Sequence, residues 1–172
     1  MAVKEILLLG NPKLHEISSL VAEEEMDELL PAVQNLHDTL LDFRFKYGAG
    51  RAIAAPQIGV FKRVIYMYID KPFVFINPEL VITNHKKMEV WDDCMSFPDL
   101  LVKVQRYKAC TIHYRDIDWK KQSMDLTDDL SELLQHEYDH LDGILTTSRA
   151  VDDQSFALRS QRSNIGKGEE GQ

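Results

Sequence analysis

The sequence predicts an α+β fold: an N-terminal helix, several short and mostly antiparallel strands, and a C-terminal helix packed in the core. Three observations carry this. Between residues 23 and 45, Met26, Leu29, Leu30, Val33, Leu36, Leu40 and Leu41 recur at helical spacing, with acids at the start where the helix dipole favours them. From residue 63 to 126, short β-like runs alternate with turn signals. Thr127-Asp128-Asp129 then offers an N-cap for a helix through Leu141, with Gly143 just past its end.

Taken in order, Ile6 to Leu9 is too short an apolar run for a signal peptide. Inside the first helix Pro31 marks a kink or a late start, and Gly48 and Gly50 end the segment. The β-like runs are Arg63–Ile69, Phe73–Ile76, Leu80–Thr83, Lys87–Trp91, Leu101–Val104, Ala109–Tyr114 and Gln122–Leu126. Asn77-Pro78 and Phe97-Pro98-Asp99 are the strongest turns between them. Ser163 to Gln172 reads as a flexible tail, so residues 1–162 form one catalytic domain and 163–172 follow it.

Composition narrows the class. Hydrophobic residues at 44% and charged residues at 28% are a globular balance and argue against disorder. A formal net charge of −8 argues against direct reading of nucleic acid, which takes a basic patch. No stretch reaches membrane-spanning length, so no membrane partner is expected. Two cysteines, Cys94 and Cys110, make no disulfide framework, and a reducing cytoplasm is the simplest location.

The second helix carries His136-Glu137-Tyr138-Asp139-His140, the H-E-x-x-H pattern. Residues four apart share a helix face, so both imidazoles reach one ion, and Glu137 lies beside them. A bound ion lowers the pKa of water, and a carboxylate there accepts the proton. Leu133, Leu134 and Leu141 bury the same helix and fix the ligands. Two ligands need a third. Downstream of His140 there is no histidine, Glu169 and Glu170 fall in the tail, and Asp142, Asp152 and Asp153 do not fit the usual metallopeptidase pattern. Upstream stands Cys94, whose thiolate with two histidines makes a three-ligand site with one position open to water. A lone cysteine is more often a small buried hydrophobe.

A further block decides between these readings. Gly50-Arg51-Ala52-Ile53-Ala54-Ala55-Pro56-Gln57, Cys94-Met95-Ser96 and Gln135-His136-Glu137-Tyr138-Asp139-His140 follow one another in the order of the peptide deformylase motifs Gly-x-Gly-Leu-Ala-Ala-Pro-Gln, Glu-Gly-Cys-Leu-Ser and Gln-His-Glu-x-Asp-His. Ile6 to Leu14 is similar to that family's first strand and turn, and Arg106 to its arginine after the cysteine block. The resemblance covers residues 5 to 150. It implies Cys94, His136 and His140 as metal ligands and Glu137 as the acid–base residue. The Gln57 amide and the backbone N–H of Met95 would face the oxyanion. It also implies a single divalent metal ion, Fe(II) in the family, with Zn, Ni or Co as substitutes. The reaction implied removes the formyl group from the formylmethionine of nascent polypeptides and releases formate. A transient ribosome contact would use Arg159, Arg162 or Lys167, which otherwise read as a solvated terminus.

The chain departs from the family's pattern beside the site, at a groove where Gly50, Arg51, Ala52 and Asp93 are expected to meet substrate. Arg51 replaces an apolar residue, Ala52 the second glycine, Asp92 a glutamate and Asp93 a glycine. Because an apolar–glycine pair has become basic and acidic together, Arg51 and Asp93 are expected to face each other as an ion pair. The alternative is two independent exposed substitutions. Asp128, Asp129 and Glu132 read as charges at a helix start, and Asp139 as a partner for a basic group such as Arg106. Cys110, His15, His37, His85 and His113 read as packing or surface residues.

Overall fold

A computed structural model of the 172-residue chain describes residues 2–166. Helix α1 (Met26–Tyr47) follows a 3-10 turn at Glu23–Glu25 and ends at Gly48, whose φ of 68° closes the helix in the left-handed region. Pro31 sits inside α1, so the helix begins ahead of the proline instead of after it. Leu29, Val33, Leu36, Leu40 and Phe43 are the buried stripe that the spacing implied.

The strands are fewer and longer than the sequence suggested. They are β1 (Ala52–Ala54), β2 (Val64–Tyr68), β3 (Pro72–Asp92), β4 (Leu100–Arg115), β5 (Lys121–Thr127) and β6 (Phe156–Leu158). All neighbours are antiparallel in the order β1-β2-β3-β4-β5, with β6 pairing the start of β4. Strands β3 and β4 form one hairpin paired from Ile76↔Arg115 to Asp92↔Val102. The turn expected at Asn77-Pro78 is a bulge inside β3. Asn77 takes φ 49°, and its side chain bonds Val21 through both backbone groups at 2.8 Å. Two further bulges, at Ile82/Asn84 and Asn84/Lys87, bend the ladder without ending it. Phe97-Pro98-Asp99 does lie where the chain turns from β3 to β4.

Helix α2 (Asp128–Leu141) begins at Thr127, and Gly143 follows its end with φ 68°. The two helices occupy separate cores. Helix α1 packs with Ile53, Val64, Tyr66 and Ile76, while Leu133, Leu134 and Leu141 of α2 pack with Ala54, Ile65, Phe75, Cys110 and Ile112. Cys110 is therefore a packing residue of the sheet.

The N-terminal segment is not a strand. Pro12–His15 is a 3-10 turn, and the residues before it run as a strap. Leu7 N–H donates to the carbonyl of Gln57 and Leu9 N–H to that of Ser96, each at 2.8 Å, so the strap clamps two of the motif blocks together. At the other end Ser163 and Asn164 belong to the 3-10 turn Arg159–Asn164, and residues 167–172 of the expected tail lie outside the described residues. No helix among the described residues is long and apolar enough to cross a membrane.

Candidate metal centre

Three separate segments converge on one point. The 3-10 turn Ala55–Ile58 supplies Gln57, the turn after β3 supplies Cys94, and α2 supplies His136, Glu137 and His140. One ligand atom from each of Cys94, His136 and His140 lies within 4.8 Å of the others, and all three residues are buried. Cys94 Sγ stands 3.3 Å from His140 Nε2. Two ligands of one tetrahedral ion, with metal–sulfur near 2.3 Å and metal–nitrogen near 2.1 Å, would stand about 3.6 Å apart. The donor set is a thiolate and two imidazoles with a cavity at the open side, which fits a divalent metal. The protein therefore carries a metal site made of Cys94, His136 and His140.

Hydrogen bonds around the site leave the correct atoms for the ion. His136 Nδ1 faces Asp92 at 2.8 Å and Thr146 at 3.2 Å, which directs Nε2 inward. Gln57 Oε1 accepts from Ala54 N–H at 2.9 Å, so its amide nitrogen points to Ser96 Oγ at 3.1 Å and Cys94 Sγ at 3.6 Å. Among the described residues, Glu137 Oε2 and His140 Nδ1 are buried at the site without a hydrogen-bond partner. An orphaned carboxylate oxygen beside a three-ligand cluster is what a water or substrate held there would satisfy.

A buried charge network braces the ligands. Arg106 donates to Asp139 at 2.5 Å and to Asp92 at 3.2 Å, and Arg149 makes a two-pronged contact with Asp139 at 2.6 and 2.7 Å. The pairing expected of Asp139 with Arg106 is present. Burial pushes the Asp92 carboxyl up, but the facing His136 and Arg106 outweigh it and hold the group at about 2. Burial pushes Glu137 up to about 7. Burial together with the negative charge of Asp92 pushes Glu132 up to about 8. Burial would lower the His136 pKa, yet Asp92 and Cys94 raise it well above the usual imidazole value. His140 is held well below that value by burial and by His136.

A cavity of about 620 Å³ opens onto this centre, lined by Gly50, Arg51, Ala52, Asp93, Cys94, Met95, His136 and Glu137 among others. Every residue assigned to the groove is therefore on its wall. Gly50 needs to be glycine: its φ is 125°, and a Cβ would stand 3.3 Å from Phe43 Cδ1. The ion pair expected between Arg51 and Asp93 does not form. Arg51 pairs with Asp129 on α2 and lies 3.8 Å from Glu132, while Asp93 binds Arg159 at 2.5 Å. Each charge is answered by an element absent from the two motif blocks.

Two readings change accordingly. Asp129 stands in the first turn of α2 as expected but also lines the cavity, and Glu132 is a cavity-wall residue whose side chain is only 12% exposed. Arg159 is tied to Asp93 and to the carbonyl of Pro98 at 2.7 Å instead of lying free at a terminus. The signal for Glu132 was in the sequence: it stands one helical turn before His136, on the face that carries the ligands. Arg159 had no such signal, because β6 alone brings it back to the site.

Comparison with known proteins agrees with this geometry. The family model of polypeptide deformylase matches residues 3–156. A peptide deformylase of Pseudothermotoga lettingae is 35% identical over 161 residues, covering 92% of this chain and 90% of that protein. One from Prochlorococcus marinus is 34% identical, covering 96% of this chain and 90% of its own length. Among solved structures, the peptide deformylase of Thermotoga maritima superposes with a TM-score of 0.80 at 25% identity, covering 88% of this chain and all of that one. That of Synechococcus elongatus, in complex with actinonin, gives 0.81 at 26% identity, covering 88% of this chain and 81% of that one. With its motifs gathered at one metal centre and its relatives matched over most of their length, this chain belongs to the polypeptide deformylase family.

Proposed function

We propose that the protein removes the formyl group from the formylmethionine that begins nascent polypeptides, releasing formate, with Fe(II) at the Cys94–His136–His140 site. The observation that carries the reading is the unpartnered Glu137 carboxylate oxygen in a cavity wall beside three converging ligands. When bound, the ion supplies Lewis acidity and a lowered pKa for water. A formamide is a weak electrophile with a poor leaving group, so the chain's own residues have two further tasks.

The first is proton movement. Glu137 takes a proton from the attacking water and delivers it to the departing amine nitrogen, a general acid–base step worth 10²–10⁴-fold in rate. Burial raises this carboxyl above the ordinary carboxylate range in the metal-free protein. The second task is charge stabilisation. The Gln57 amide, oriented by Ala54 N–H and held beside Cys94 and Ser96, and the backbone N–H of Met95 would donate to the developing oxyanion. A substrate of this class is met where polypeptides are being made, so the reading carries a cytoplasmic location with it. Oxidation of the thiolate ligand would disable the site, which requires handling without oxygen.

The test is mass spectrometry of formyl-Met-Ala-Ser incubated anaerobically with Fe(II)-loaded protein, with acetyl-Met-Ala-Ser alongside. Conversion of the formyl peptide to the free amine, with the acetyl peptide intact, is expected. An untouched formyl peptide would reject the reading.

A further inference from the structure

Charged side chains line the wall of the cavity that α2 builds. Along α2, Asp129, Glu132, Leu133, His136 and Glu137 share one face, and all line the cavity. Four residues of helix rise about 6 Å, so Glu132 stands that far along the wall from His136. A side chain four atoms long, attached next to the reacting formamide, reaches about as far. The cavity has two sides. On one, Arg159 and Asp93 are 40% and 46% exposed. On the other, Leu133 at 8% and Glu132 at 12% form an enclosed floor beneath Arg51, 39% exposed, and Asp129, 72% exposed, at the rim. A polypeptide must leave towards solvent by the open side, which turns its first side chain to the enclosed one.

At that enclosed end the side chain meets the Glu132 carboxyl, with the Arg51 guanidinium 3.8 Å from it and bonded to Asp129 at the rim. We infer that Arg51 and Glu132 are specificity-determining residues that favour a first side chain ending in a hydrogen-bonding group of methionine's length over methionine itself. The inference rests on the deformylase reading and refines its substrate.

The physical reason is satisfaction of polar groups. A thioether is a weak acceptor and no donor, so a methionine lying against the pair removes water from a guanidinium and a carboxyl and returns nothing. A carboxamide of the same length accepts from Arg51 and donates to Glu132. Sites built to hydrogen-bond a substrate group discriminate strongly against analogues that lack it, whereas apolar pockets discriminate weakly. Arg51 is also held by Asp129, one turn before Glu132 on the same helix, which keeps its guanidinium over the Glu132 carboxyl.

The experiment compares kcat/KM for formyl-Gln-Ala-Ser and formyl-Met-Ala-Ser with metal-loaded protein, its Arg51→Leu variant and the Arg51→Leu/Glu132→Leu double variant. Dissociation constants of both formylated peptides for the metal-loaded Glu137→Ala protein, read from the fluorescence of Trp91 at the cavity wall, accompany the rates. The wild type is expected to use the glutamine peptide at least as well as the methionine peptide. Both leucine variants are expected to move the ratio towards methionine by tenfold or more. A wild type that favours methionine, with a ratio the Arg51→Leu variant leaves unchanged, would overturn the inference and spare the deformylase reading. Formate from neither peptide would sink the deformylase reading, and the dissociation constants would still decide the pocket: tighter glutamine binding supports it and tighter methionine binding overturns it.

Discussion

At the scale of single residues, the centre is held by charges that must balance. Asp92 ties His136 to Arg106, and both contacts are buried. Asp92→Asn leaves the guanidinium with one carboxylate partner fewer and lets the imidazole rotate. The expected result is a loss of about 3 kcal/mol in urea denaturation and a 10–100-fold weaker metal affinity by chelator competition. A change in neither would show that the network is decorative. Glu137 gives a pH-dependent prediction. Its folded-state pKa of about 7 lies above the ordinary value of 4.5, so its contribution to stability is fully present below pH 4.5 and is lost as pH rises through 7. In metal-free protein, the wild type should lose on the order of 3 kcal/mol relative to Glu137→Gln between pH 4.5 and 8. Parallel stability curves for the two proteins would contradict this.

At the scale of elements, the helices and the strands β2 and β5 were legible, and the extents of β3 and β4 were not. Helix α2 was readable because cap, apolar spacing and ligand spacing agree within fourteen residues. The seven β-like runs merged into fewer strands because their polar interruptions are bulges and inward-facing residues, not turns. Arg106 interrupts an apolar run in β4 and would mark a break by composition, yet it is 3% exposed and paired with Asp92 and Asp139. No local signal reports a partner thirty-three residues away on another element. The N-terminal strap is a similar case, since its bonds run to the backbone of Gln57 and Ser96. The end of α2 offers a test at this scale. A Cβ on Gly143 would stand 2.3 Å from the carbonyl oxygen of His15, and its φ is positive. Gly143→Ala must push the segment around His15 away from the helix that carries the ligands. A loss of at least 2 kcal/mol in thermal or denaturant unfolding is expected, and wild-type stability would show that this contact yields freely.

At the scale of the whole molecule, three chain segments distant in sequence are joined through one small centre, and the ion becomes part of the fold. Metal binds the folded state, so at a thousand times its dissociation constant it should add about 4 kcal/mol. That corresponds to a Tm higher by about 10 °C than in chelator for a domain of this size. Scanning calorimetry with and without Zn, which resists oxidation, checks it, and an unchanged Tm would place the ligands outside the cooperative unit. The ligand set was legible because motif order specifies it. The cavity wall was not, because Arg51 meets Asp129 and Asp93 meets Arg159 only through tertiary packing.

The central claim is that Glu137, beside the Cys94–His136–His140 site, drives hydrolysis of a formamide. Initial rates of formate release from formyl-Met-Ala-Ser, by anaerobic Fe(II)-loaded wild type and by a Glu137→Ala variant of equal metal content, test it most directly. The account predicts formate from the wild type and a rate at least 100-fold lower from the variant; equal rates from the two proteins would contradict it.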